Sequence, residues 1–144
     1  MSGAHVLRGI EVYQDAPIFY GLGNLWFEYE LLERLPRDSF EQYQLSADAT
    51  PEQFADEAML GFQRDPRIWE SVLPHCSFKN GRLCELRLHP VTLGFGRPRG
   101  RRGQPSLASK EDARRILQRL DDLSRPFATR VKEVDAVGRV PVSS

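Results

Sequence analysis

Four arginines crowd a short stretch, Arg97, Arg99, Arg101 and Arg102, within the run G-R-P-R-G-R-R-G-Q-P. A planar guanidinium grips phosphate or carboxylate through paired hydrogen bonds, so this loop suits an anionic polymer. Its glycines and prolines break helix and central strand alike, and the bland alternative is a solvated loop. No aromatic residues interleave the arginines as a single-stranded nucleic-acid platform would require. The three histidines, His5, His75 and His89, stand apart from one another. None has a second histidine or a carboxylate at ligand spacing, so His75 and His89 read as packed or solvent-facing strand residues. Asn24 follows Gly21-Leu22-Gly23, a turn whose asparagine either approaches a ligand or bonds its own loop.

The elements that must position these residues follow from periodicity and punctuation. Residues 6 to 13 and 17 to 24 read as two strands around a Gln14-Asp15-Ala16 turn. A longer hairpin runs from about Ile68 to Phe78 and from Leu83 to Val91, with Asn80-Gly81 as its turn signal. Strand alternation favours a three-residue Lys79-Asn80-Gly81 loop, which sets Cys76 opposite Cys84; a two-residue turn sets them on opposite faces. Two cysteines are too few for a disulfide framework, and a reduced buried pair is the expected state.

Three helices are predicted. The first is short and starts at Asp38 as cap with Glu41 three residues on, turning Phe40 and Tyr43 inward. The second is capped by Thr50 with Gln53 in the reciprocal position, and carries Phe54, Ala55, Ala58, Met59 and Phe62 on one face. The third is capped by Ser109 with Asp112, repeats Ala113, Ile116, Leu117, Leu120 and Leu123, and stops at Ser124-Arg125-Pro126. An extended tail with a turn near Gly138 closes the chain. The fold class is α+β, with hairpins in one sheet and helices covering a face.

The opening runs His5-Val6-Leu7-Arg8-Gly9-Ile10-Glu11-Val12-Tyr13 and Pro17-Ile18-Phe19-Tyr20-Gly21-Leu22-Gly23-Asn24-Leu25 resemble a pair of motifs, H-V-x-x-G-I-E-x-Y and P-I-x-Y-S-L-G-N-F. They belong to the bacterial CapA family of capsule-synthesis and poly-gamma-glutamate biosynthesis proteins. The resemblance continues through L-H-P-V-T-L-G-F-G and into the last helix and tail. It implies the carboxy-terminal part of a layered α/β/β/α sandwich related to calcineurin-like metallophosphoesterases, so that residues 1–144 form a single partial domain. It implies divalent metal ions, with His5 as one ligand at the end of a G-H-x-P-H-V motif, and Glu11 and Asn24 lining the site. Met1-Ser2-Gly3-Ala4 match neither the first histidine nor the proline, and Gly21 replaces the pattern's serine. One histidine cannot hold two cations, so no metal is expected on the isolated chain.

At 144 residues the chain suits one folding unit, and a piece of a larger sheet would leave an edge open to self-association or to a missing domain supplied in trans. Twenty basic and twenty acidic residues cancel, which argues against a nucleic-acid partner or an acidic membrane surface. No apolar run of transmembrane length and no signal-peptide pattern occurs, so the chain as given reads as cytoplasmic. Two functions compete. One is a CapA-like phosphoesterase completed by further sequence; the other is a non-catalytic module that binds poly-gamma-glutamate or a capsule glycan, or completes a partner's sheet. A mis-started gene product without a separate function is the third reading.

Overall fold

A computed structural model describes residues 4–26, 34, 36–51, 53, 54 and 64–142. It is an α+β fold in which strands β1 (Ile10–Tyr13), β2 (Ala16–Phe19), β3 (Glu70–Lys79), β4 (Arg82–Thr92), β5 (Ser106–Leu107), β6 (Lys132–Val134) and β7 (Val137–Val140) accompany helices α1 (Arg37–Gln42) and α2 (Lys110–Ser124). β1 and β2 form a two-stranded antiparallel sheet. The other five make one antiparallel sheet in the order β3-β4-β7-β6, with β5 also paired to β4.

All three hairpins turn on two residues with positive φ: Gln14-Asp15, Asn80-Gly81 and Asp135-Ala136. Such turns match the right-handed twist of the strands they join. The first hairpin is therefore tighter than the expected Gln14-Asp15-Ala16 loop; β2 ends at Phe19, and the pairing continues through Tyr20 N to the Gly9 carbonyl, Arg8 N to the Gly21 carbonyl and a bridge between Leu7 and Leu22. The last turn, Asp135-Ala136, lies near Gly138 as expected, two residues before it. Gly138 sits inside β7, where a Cβ would meet Leu117 Cδ2 at 2.6 Å and Leu88 Cβ at 3.1 Å.

The central hairpin corrects the expected register. Phe78 pairs with Leu83 across a two-residue turn, but Ser77 pairs with Glu85, so Cys84 is an extra residue in a bulge. The bulge restores the alternation that an extra loop residue was expected to supply. Cys76 thus lies opposite Leu86 and packs on the core, while Cys84 is exposed and donates its S–H to the Ser77 carbonyl at 3.2 Å. The two are not a buried pair.

α2 forms as its sequence dictates. Ser109 Oγ accepts the Asp112 N–H at 3.1 Å, satisfying one of the free donors of the first turn. Ala113, Ile116, Leu117 and Leu120 are fully buried and join Leu7, Ile10, Val72, Leu83, Leu86, Leu88, Val131 and Val140 in the core. The start of the short helix departs from expectation: Pro36 occupies the cap of α1 without a side-chain bond, and Asp38 lies within the first turn. The Thr50–Gln53 capping box forms, with Thr50 N donating to Gln53 Oε1 at 2.8 Å and Gln53 N to Thr50 Oγ1 at 3.3 Å. Phe54 meets Tyr43 edge to face at 5.4 Å. The remaining apolar positions of that helix, Ala55, Ala58, Met59 and Phe62, lie outside the described residues. Among the described residues no helix is long and apolar enough to cross a membrane.

Candidate anion-binding site

The site begins at a 3-10 turn, Pro66–Trp69, that leads into β3. Asp65 caps the turn by accepting the Arg67 N–H at 3.0 Å, and its carboxylate also takes the Arg67 guanidinium at 2.7 Å. That bond to Arg67 holds Asp65 below the usual carboxylate range. The turn buries Ile68 and Trp69 against Leu93, with Val6 alongside.

Glu70 comes next and is only 3% exposed. A charge so placed needs partners, and α2 supplies them from successive turns. Arg115 Nη1 hydrogen-bonds Glu70 Oε1, and Arg119 Nη1 lies 2.7 Å from Oε2 as an ion pair outside hydrogen-bond geometry. Arg115 also reaches Asp112 Oδ1 at 2.7 Å. Burial, and then the nearby charges of Arg67 and Arg115, lower the pKa of Arg119. Gly23 closes over this strand start at φ +77°, where a Cβ would stand 2.4 Å from the Glu70 carbonyl oxygen. The adjacent Ser71 Oγ donates to the Leu22 carbonyl at 2.7 Å.

Beside Glu70 opens a pocket of about 180 Å³. Pro66, Trp69 and Glu70 form one wall, Thr92, Gly94, Phe95 and Arg97 a second, and Asp112 and Arg115 of α2 a third. Trp69 and Phe95 meet with centroids 6.4 Å apart and planes tilted by 56°. Arg97 folds back over Gly94, which has φ +77° and leaves 2.9 Å between a built Cβ and Arg97 Cδ. Glycine, with no Cβ, gives that combination readily, and residues with an L side chain do not. Among the described residues no carboxylate pairs with Arg97. A hydrogen bond from Gly103 N to the Leu93 carbonyl at 2.7 Å closes the loop. Of the four expected arginines, Arg97 lines the pocket; Arg101 is exposed, Arg102 is half-buried, and Arg99 belongs to the 3-10 turn Arg99–Arg101.

His5 and Asn24 are brought together. Asn24 Nδ2 donates to the Ile68 carbonyl at 3.1 Å, which turns Oδ1 toward His5 Nδ1 at 2.9 Å. In that arrangement Nδ1 carries the hydrogen. Glu11 is engaged elsewhere, accepting the Tyr20 hydroxyl at 2.5 Å. That hydrogen bond, followed by burial, raises the Tyr20 pKa, and the Tyr20 ring stacks on Phe127 at 4.7 Å. His75 is exposed with Ser77 Oγ 3.4 Å from Nε2, and His89 is half-buried on β4.

The two-metal centre implied by the resemblance needs several ligands around each cation. Among the described residues no group of three or more His, Cys, Asp or Glu side chains could hold a metal ion. His5 and Asn24 alone do not fit such a centre. A larger concavity, about 530 Å³, runs along α1 past Arg37, Phe40, Glu41, Gln44, Leu45 and Ala47. It gathers one cation and one anion on a surface helix, whereas the smaller pocket joins a buried ion-pair network, an uncommitted guanidinium and two aromatic rings. Size therefore does not decide between them.

Sequence reasoning passed over Glu70, Arg115 and Arg119. Their signal was present as a glutamate in the apolar run Ile68-Trp69-Glu70-Ser71-Val72, and as two arginines four residues apart on one helix.

No family model matches the chain. It is similar to the uncharacterized proteins y4sH and y4uA of Sinorhizobium fredii (strain NBRC 101917 / NGR234), each 36% identical over 148 residues. The match takes in 96% of this chain and 32% of each relative, so the chain spans about a third of the length of the curated relatives it matches.

Proposed function

We propose that the chain is a non-catalytic module that binds an anionic polymer, with one carboxylate or phosphate seated between Arg97 and Arg115. Arg97 carries the reading, because it lines the pocket and, among the described residues, no carboxylate stands within ion-pair distance of it. Arg115 is already shared by Glu70 and Asp112, so it can turn one N–H toward a ligand while Arg119 keeps Glu70 compensated. The module would act as part of a longer protein, in keeping with the length of its relatives. Titration of Trp69 fluorescence, in a Trp26→Phe background that leaves it the single tryptophan, with poly-gamma-glutamate and with polyphosphate tests it. Binding should weaken as salt rises and fall about tenfold or more in Arg97→Gln, the loss of one charge-assisted pair. Binding unchanged by that substitution would refute it.

The hydrogen bond between His5 and Asn24 favours a second reading, a CapA-like metallophosphoesterase of capsule or poly-gamma-glutamate biosynthesis. It joins two of the three residues that the resemblance assigns to the site. The remaining ligands would come from outside the described residues. Metal analysis of a longer form that holds this chain, with and without His5→Ala, tests it; metal content unaffected by the substitution would count against His5 as a ligand.

A further inference from the structure

Building on the anion-binding reading, we infer that the unit seated in the pocket is an acidic sugar, a pyranose bearing a carboxylate or phosphate, and not a glutamyl residue.

Three features of the pocket point the same way. The first is Phe95, a large aromatic left 47% exposed at the pocket wall and backed by the buried Trp69. A poly-gamma-glutamate unit, with its methylenes in a flexible backbone and its carboxylate directly on Cα, gains little from an aromatic face. A pyranose presents a flat row of C–H groups, which lies on the negative face of a phenyl ring. The tilt between the two rings leaves no parallel slot for a nucleobase, so Phe95 serves as a one-sided platform.

The second feature is the mixture of charges. A site for a bare polyanion needs cations alone, but here Asp112 and Glu70 share the walls with Arg97 and Arg115. Asp112 accepts from Ser109 Oγ at 2.8 Å and from Arg115 at 2.7 Å, one bond to each oxygen. A carboxylate has about four lone-pair positions, so two remain for donors. Sugar hydroxyls are such donors, whereas a poly-gamma-glutamate unit offers one amide N–H. Asp112 would then repel a second anion and accept from the ring hydroxyls beside the first.

Size is the third. About 180 Å³ lies below the range of pockets that enclose drug-sized ligands and corresponds to about six water molecules at liquid density. That is room for one monosaccharide unit, with the rest of the chain running out over the loop that carries Arg101.

Calorimetric titration of the full chain with four probes tests the inference: a galacturonate oligomer, a neutral galactose oligomer, glucose 6-phosphate and a glutamate oligomer matched in charge to the first. The acidic oligosaccharide should bind at least tenfold tighter than the glutamate oligomer. Phe95→Ala should remove that advantage and leave glutamate binding unchanged, while Arg97→Gln should weaken both. Both residues are exposed, and thermal melts of the variants confirm that they fold. Glucose 6-phosphate binding with the same dependence on Phe95 would support the phosphate form of the class. Equal binding of sugar and glutamate probes, or no effect of Phe95→Ala, would overturn the sugar inference and leave the anion site standing if Arg97→Gln still abolished binding. Equal binding of the neutral oligomer, or no binding of any probe, would overturn both.

Discussion

Asp121 on α2 accepts the backbone N–H of Val131 at 2.8 Å, so that the strand pair β6–β7 hangs from a buried carboxylate ten residues earlier. Arg130 and Arg125 complete its shell at 2.9 and 3.0 Å. These bonds, led by the one from Arg130, hold its pKa at about 2 against an ordinary 3.8.

The sign of the resulting pH dependence is set by that depression. A carboxyl whose folded pKa is lowered contributes its stability fully above the unfolded value and loses it as pH falls through the folded one. The Asp121 contribution, about 2 kcal/mol before screening of the exposed arginines, should therefore vanish between about pH 4 and pH 2. Urea unfolding at pH 6 and pH 2.5 should show Asp121→Asn costing about 2 kcal/mol at the higher pH and much less at the lower. An equal cost at both would show that the carboxylate is not what holds the strand pair.

Gly23→Ala should destabilise the fold by about 2 kcal/mol or more, since the new Cβ meets a backbone oxygen and the residue must keep a positive φ. Gly100→Ala is the control. A Cβ there meets nothing within 4 Å, and its effect should stay within about 0.5 kcal/mol. Thermal melts of the two variants side by side decide the point.

Glu70→Gln leaves two guanidiniums facing a neutral amide and should cost about 3 kcal/mol. Arg119→Met alone should also destabilise, and the double variant should recover part of the sum. A coupling energy near zero in that double-mutant cycle would mean that Glu70 and Arg119 do not act as a pair.

The two thiols should separate by reactivity. Burial raises the Cys76 pKa, whereas Cys84 is exposed on its bulge. Brief alkylation at pH 8 followed by peptide mass spectrometry should modify Cys84 at least tenfold faster. Equal rates would contradict the register between β3 and β4.

Apart from the cap at Asp38 and the length of the first turn, local signals were read correctly where one residue acts on its near neighbours. Ser109 caps α2, Thr50 and Gln53 exchange caps, and the apolar stripe from Ala113 to Leu120 is buried. The other errors came where a decision belongs to two distant segments. Alternation gave the correct core face for Cys76, but a bulge and a longer loop produce the same alternation, and only pairing with Leu86 separates them. The arginine loop showed itself by composition. Which arginine lies over the pocket depends on the close approach of Arg97 to Gly94, and local composition does not encode that choice. Glu70 was missed because its partners lie 45 and 49 positions away.

Ile10 donates its backbone N–H to Ser124 Oγ at 3.0 Å, across 114 positions of sequence. With Glu70 held by Arg115 and Arg119 in the middle of α2, and Asp121 and Ser124 near its end, a single helix receives the early, middle and late parts of the chain. Contacts this remote carry a loop-closure cost that nothing repays until the receiving surface exists. The closures differ widely in length: Val131 meets Asp121 across 10 positions, Val72 meets Leu22 across 50 and Ile10 meets Ser124 across 114. During synthesis from the N-terminus, the Ile10 N–H therefore meets its Ser124 acceptor only after more than a hundred further residues have been made.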